Sequence, residues 1–152
     1  MVIMFHRRSG QEHEVEVVRR DGSTDRAVLP SKDYLRHDLA HFALELELCL
    51  RDGVWGSVAR GGSLAGEGLD GADVALAERA AGRLQTLMRT GADVDAHEEL
   101  LRLTMPDRAD RELAERLHER VRRLVGRWNA TPYGGSMTLE WPEPDAPAPR
   151  KR

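Results

Sequence analysis

The residues best placed to do chemistry lie in one segment, YLRHDLAHFALELELCL, from Tyr34 to Leu50. On a helix His37 and His41 stand one turn apart, so both imidazoles can reach a single metal ion. Asp38 follows His37, at the place where the metalloprotease pattern H-E-x-x-H carries its general-base Glu. Glu45 extends the stripe one turn past His41. His37 and His41 are therefore candidate ligands for a divalent metal such as zinc, and Asp38 and Glu45 are candidate catalytic acid–base groups. Asp is a methylene shorter than Glu and would hold a water differently. His37 and Glu45 are about 12 Å apart along a straight helix axis, too far to share one ion. A third ligand must come from elsewhere, and His97, Glu98, His118 and His6 are the candidates. The same residues also suit a structural use, as a hydrogen-bonded His–Glu and His–Asp network seating the helix.

The elements around this stripe decide whether it is buried. Leu35, Leu39, Phe42, Leu46 and Leu50 form a core stripe, while Leu44 and Leu48 fall almost opposite. A helix apolar on nearly all sides is buried. Its ionisable groups are then costly unless they pair with one another or hold an ion. Three short apolar runs precede it: Val2–Phe5, a segment around Val15, Val17 and Val18, and Ala27–Leu29 ended by Pro30. Met137, Leu139 and Trp141 alternate with polar residues after Gly134-Gly135, the period of a strand. Helices are predicted over Ser31–Leu50 with Ser31 or Asp33 as cap, Asp73–Thr90, a short one opened by Asp95 and Glu98, and Asp107–Trp128. The stretch between the first two helices reads as irregular and glycine-rich, tacked down by Trp55 and Val58. The fold class is α+β: a small antiparallel sheet from both chain ends, covered by the buried helix and a helical subdomain. Residues 1–142 form one α+β domain, and 143–152 a disordered proline-rich tail.

Composition narrows the function classes. The formal net charge is -3, from 23 basic and 26 acidic residues, which gives no general footprint for nucleic acid or an anionic membrane. Arg116, Arg120, Arg123 and Arg127 share one helix side, but Glu112 and Glu119 precede two of them at the i,i+4 spacing of a solvated face. Gly66-Glu67-Gly68-Leu69-Asp70-Gly71 matches G-x-G-x-x-G without a preceding strand, so no dinucleotide site is expected. No apolar run is long enough to cross a membrane and no leader is evident, so a cytoplasmic setting is expected. The lone Cys49 permits no intramolecular disulfide and reads as a small buried residue.

The segment LRHDLAHFALELELCLRDGVWGSVARGG resembles an uncharacterised family of small bacterial proteins. In that family a strand-rich start leads to a helix reading His-Asp-Leu-x-His-Phe/Tyr-x-x-Glu and then a Gly/Trp-rich stretch. His37, Asp38, Leu39, His41, Phe42 and Glu45 fill the motif, and Gly53, Trp55 and Gly56 the stretch after it. The resemblance supports the choice of residues and implies no reaction. Two functional readings stand. One is a non-enzymatic binding or interaction protein, meeting a protein partner or a second copy of itself. The other is a metal-dependent hydrolase built on the HDxxH helix.

Overall fold

The computed structural model describes residues 1–143, so the expected tail, apart from Glu143, lies outside the described residues. Four strands, β1 (Val2–Arg7), β2 (Glu12–Val18), β3 (Thr24–Pro30) and β4 (Ser136–Glu140), form an antiparallel sheet in the order β3-β2-β1-β4. The two chain ends meet in it: the amino group of Met1 donates to the Trp141 carbonyl. The strands alternate sides as a pleat requires. Ile3, Phe5, His13, Val15, Val17, Met137 and Leu139 are buried in the core. His6, Glu16 and Ser136 lie on the opposite face.

The helices are α1 (Arg36–Glu47), α2 (Val54–Ala59), α3 (Ala72–Thr90), α4 (Val94–Thr104) and α5 (Arg111–Ala130). The α+β class expected from the sequence is therefore present. No helix among the described residues is long and apolar enough to cross a membrane. Helix α1 is central, with Leu39, Phe42 and Leu44 buried and α3 and α5 packed along it. Ala77, Ala80 and Ala81 are the small residues that let α3 lie close.

Several local expectations are corrected. The Ser31 or Asp33 cap does not form; the chain enters α1 through a π-helical turn, Ser31–Leu35. The Ser31 hydroxyl instead lies 3.3 Å from His13 Nδ1, on a neighbouring strand. Asp93, not Asp95, caps α4 by accepting from the Ala96 N–H; Asp95 lies within the helix and pairs with Arg111. The last helix begins at Arg111, capped by Asp110, after a 3-10 turn at Pro106–Arg108. Cys49 is exposed, not buried. It takes the left-handed position (φ 53°) that closes α1, with Leu50 N–H donating to the Glu45 carbonyl and Cys49 N–H to that of Leu46. That pattern is a Schellman cap, which usually places glycine there. It turns the thiol outward and sends Leu50 back into the core.

Candidate metal centre

His37 and His41 do face the same way. Their Nε2 atoms are 3.1 Å apart. The third donor is Glu78 of α3, with one carboxylate oxygen 3.3 Å from His37 Nε2 and the other 3.3 Å from His41 Nε2. The candidates named from sequence do not fill this role. His97 Nδ1 donates to the Asp93 carbonyl, and its ring faces that of His118. Glu98 pairs with Arg102 and Arg111, and His6 lies on the outer sheet face against Glu16. Glu78 carries no local signal in the sequence. It stands at the flank of the alanine face that seats α3 on α1, and only the packing of the two helices brings it to the histidines.

Glu45 has a different position from the other three. Its carboxylate is 1% exposed. It accepts from the Val54 and Trp55 backbone N–H groups, each at 2.9 Å, and from His41 Nδ1 at 3.0 Å. The first two are orphan donors at the start of α2, so Glu45 caps that helix from a distance. This non-local cap explains why α2 forms inside a stretch that reads as irregular. Trp55 and Val58 are buried, as the sequence suggested. Gly53 leaves room for the carboxylate, since a Cβ there would stand 2.5 Å from Glu45 Cδ.

The acceptor at Nδ1 sets the chemistry of His41. A carboxylate only accepts, so the Nδ1 proton points to Glu45 and Nε2 faces His37 and Glu78. A histidine whose distal nitrogen donates to a buried carboxylate is the arrangement found behind metal-ligating histidines, where the carboxylate orients the ring and raises its basicity. Burial opposes charge on His41, but the hydrogen bond and charge of Glu45, with the charges of Glu78 and Asp38, win and raise its pKa.

Asp38 stands apart from the three donors. Its Oδ2 is 3.9 Å from Nε2 of the fully buried His13, and that nitrogen has no hydrogen-bond partner. The Asp38 backbone carbonyl accepts from the Trp55 indole. His37, His41 and Glu78 are one of two donor groups among the described residues close enough to share an ion; the other is His6, Glu14 and Glu16. Glu78 is half exposed and His37 partly so, which puts the first group at the surface end of a buried stripe.

Comparison with protein families, characterised proteins and solved structures returned no match. The functional reading rests on the site itself.

Proposed function

We propose that the protein binds a single divalent transition metal through His37 Nε2, His41 Nε2 and the Glu78 carboxylate. The supporting observation is the spacing of the three donors. Ligands at zinc distances of 2.0–2.1 Å stand about 3.3–3.4 Å apart along the edges of a tetrahedron. The two imidazole nitrogens are 3.1 Å apart, and each is 3.3 Å from a different oxygen of the Glu78 carboxylate, so the three side chains surround one ion-sized space. The donor set, two imidazoles and a carboxylate, suits zinc, and Glu45 supplies the orienting acceptor behind His41. Three protein ligands leave a fourth position for water or substrate, the arrangement of catalytic rather than closed structural zinc sites. This favours hydrolysis as the use of the metal, with Glu78 at the solvent side.

The test is titration of the metal-free protein with zinc by calorimetry, and with cobalt by visible absorption. The expected result is one site per chain, a tetrahedral cobalt spectrum, and loss of both in His41→Ala and Glu78→Gln. If the parent takes up no metal, the reading fails. The polar stripe is then structural, and the interaction-protein reading, a surface for a protein partner or second copy, takes precedence.

A further inference from the structure

Across the sheet from α1, the outer face carries a second constellation that the metal centre does not use. His6 and Ser136 sit directly opposite on β1 and β4, and Glu14 and Glu16 come from β2. Ser136 Oγ is 2.6 Å from His6 Nδ1, and His6 Nε2 is 3.0 Å from Glu16 Oε2. A carboxylate accepts only, so Nε2–H donates to Glu16, and Nδ1 turns its lone pair to the Ser136 hydroxyl. That tautomer is the one a general base needs. Ser136 is exposed, while His6 and Glu16 are largely covered. Beside them opens a cavity of about 480 Å³ lined by His6, Arg8, Glu14, Glu16, Arg26 and Gly135 among others.

We propose that Ser136, His6 and Glu16 form a nucleophilic triad that acylates and deacylates on carboxylic esters, with Ser136 as nucleophile, His6 as general base and Glu16 as the group that positions His6. The roles follow the logic of a serine, a base in hydrogen-bond reach and a carboxylate that orients the base. The Arg26 guanidinium, and after it His6, holds the Glu16 carboxyl below the usual carboxylate range. It is therefore ionised when His6 takes up a proton. Arg8 and Arg26 each engage a glutamate through one nitrogen, at 2.6 and 2.7 Å. Both arginines also line the cavity, where an oxyanion or an acidic substrate group can be held.

In the first step the Ser136 Oγ–carbonyl carbon bond forms while the hydroxyl proton passes to His6 Nδ1. The tetrahedral intermediate then breaks its bond to the ester oxygen, and the alkoxide leaves with the proton from Nδ1. Water repeats the sequence on the acyl-serine, releasing the carboxylic acid and restoring the hydroxyl. A metal ion in the same place is the weaker use of these residues. Both carboxylates are already paired with arginines, and Glu14 Oε1 stands 4.0 Å from His6 Nε2. A cation would have to displace those pairs and then sit beside two guanidinium groups.

The experiment treats the full chain with p-nitrophenyl acetate in excess chelator, which removes any contribution of the metal centre. The readouts are release of nitrophenolate and the residue that carries the acetyl group by peptide mass spectrometry. The expected result is acetyl-Ser136, with acylation slowed about a hundredfold or more in Ser136→Ala and in His6→Ala, the scale of general-base assistance. Glu16→Gln is expected to slow acylation and Glu16→Asp to restore part of the rate, because the carboxylate holds the His6 ring in place. Circular dichroism on each variant checks that this surface substitution leaves the fold intact. Acetylation only at other residues overturns the proposal. So does a Ser136→Ala variant that reacts as fast as the parent.

Discussion

Removing Glu45 tests the construction of the α1–α2 junction and of the metal centre together. Its carboxylate receives three N–H donors, from Val54, Trp55 and His41, in a place that water does not reach. Glu45→Ala leaves all three without a partner, and each buried orphan costs about 1–3 kcal/mol. The orphans are neighbours, so their costs do not simply add. The loss of one partner of a buried charged cluster, about 3–5 kcal/mol, is the better figure. For a chain of this size that corresponds to a fall in Tm of roughly 6–20 °C. Glu45→Gln keeps the shape but turns an amide NH2 towards a donor, and is expected to cost about half as much. Gly53 supplies the cross-check, since its Cβ would strike the same carboxylate. Gly53→Ala should therefore destabilise the parent but do little harm on top of Glu45→Ala. The assay is urea unfolding of the parent and the four variants at neutral pH, in chelator, followed by zinc titration of those that fold. Zinc affinity should drop about 10–100-fold in Glu45→Gln, the usual effect of losing a group behind a ligand. A Glu45→Ala protein within 0.5 kcal/mol of the parent, or strictly additive costs with Gly53→Ala, would refute the reasoning.

The stability of the metal-free protein should fall on both sides of neutrality. The raised pKa of His41 contributes stability that is complete below its ordinary value of 6.5 and is lost as pH rises through the higher folded value. Burial, and then the charge of His118, lowers the pKa of His97. Its contribution is therefore complete above 6.5 and is lost as pH falls through the lower folded value. Urea midpoints across this range should show both limbs, and His41→Ala should remove the alkaline one. Cys49→Gly should raise stability by about 0.5–1 kcal/mol, because it relieves a left-handed non-glycine residue at the end of α1, and chemical unfolding would show an unchanged midpoint if that strain were absent. Trp141→Ala should cost roughly 3–5 kcal/mol, since the indole is buried with its ring edge-on to Phe42 at 5.9 Å. A variant as stable as the parent would mean that the end of β4 is not docked.

How much was legible depended on how local the cause was. The His37–His41 spacing and the apolar surround of α1 follow from a 3.6-residue period and can be read along the chain. So can β4, from the alternation of Met137, Leu139 and Trp141. The caps were less legible, because Ser31, Asp93, Asp95 and Asp110 all have the chemistry of a cap. At α1 Ser31 lies against His13 and caps nothing, and at α4 Asp93 caps while Asp95, inside the helix, pairs with Arg111. Helix α2 was invisible because its first N–H groups are satisfied by a side chain on α1, and six residues have little helical preference of their own.

The sequence by itself determined the α+β class, the burial of α1 and the pairing of two imidazoles on one of its faces. These depend on periodicity and residue type, which act over a few residues. The tertiary structure alone decided which donor joins them. Glu78 reaches His37 and His41 because an alanine face on α3 lets two helices pack closely. It also decided that Glu45 stands behind His41 rather than among the three clustered donors, and that Ser136 meets His6 across the sheet. The Glu78 and Ser136 contacts join residues far apart in the chain, and only the packing of the core fixes such distances, while the His41–Glu45 pair is held in place by the distant Val54 and Trp55 N–H groups.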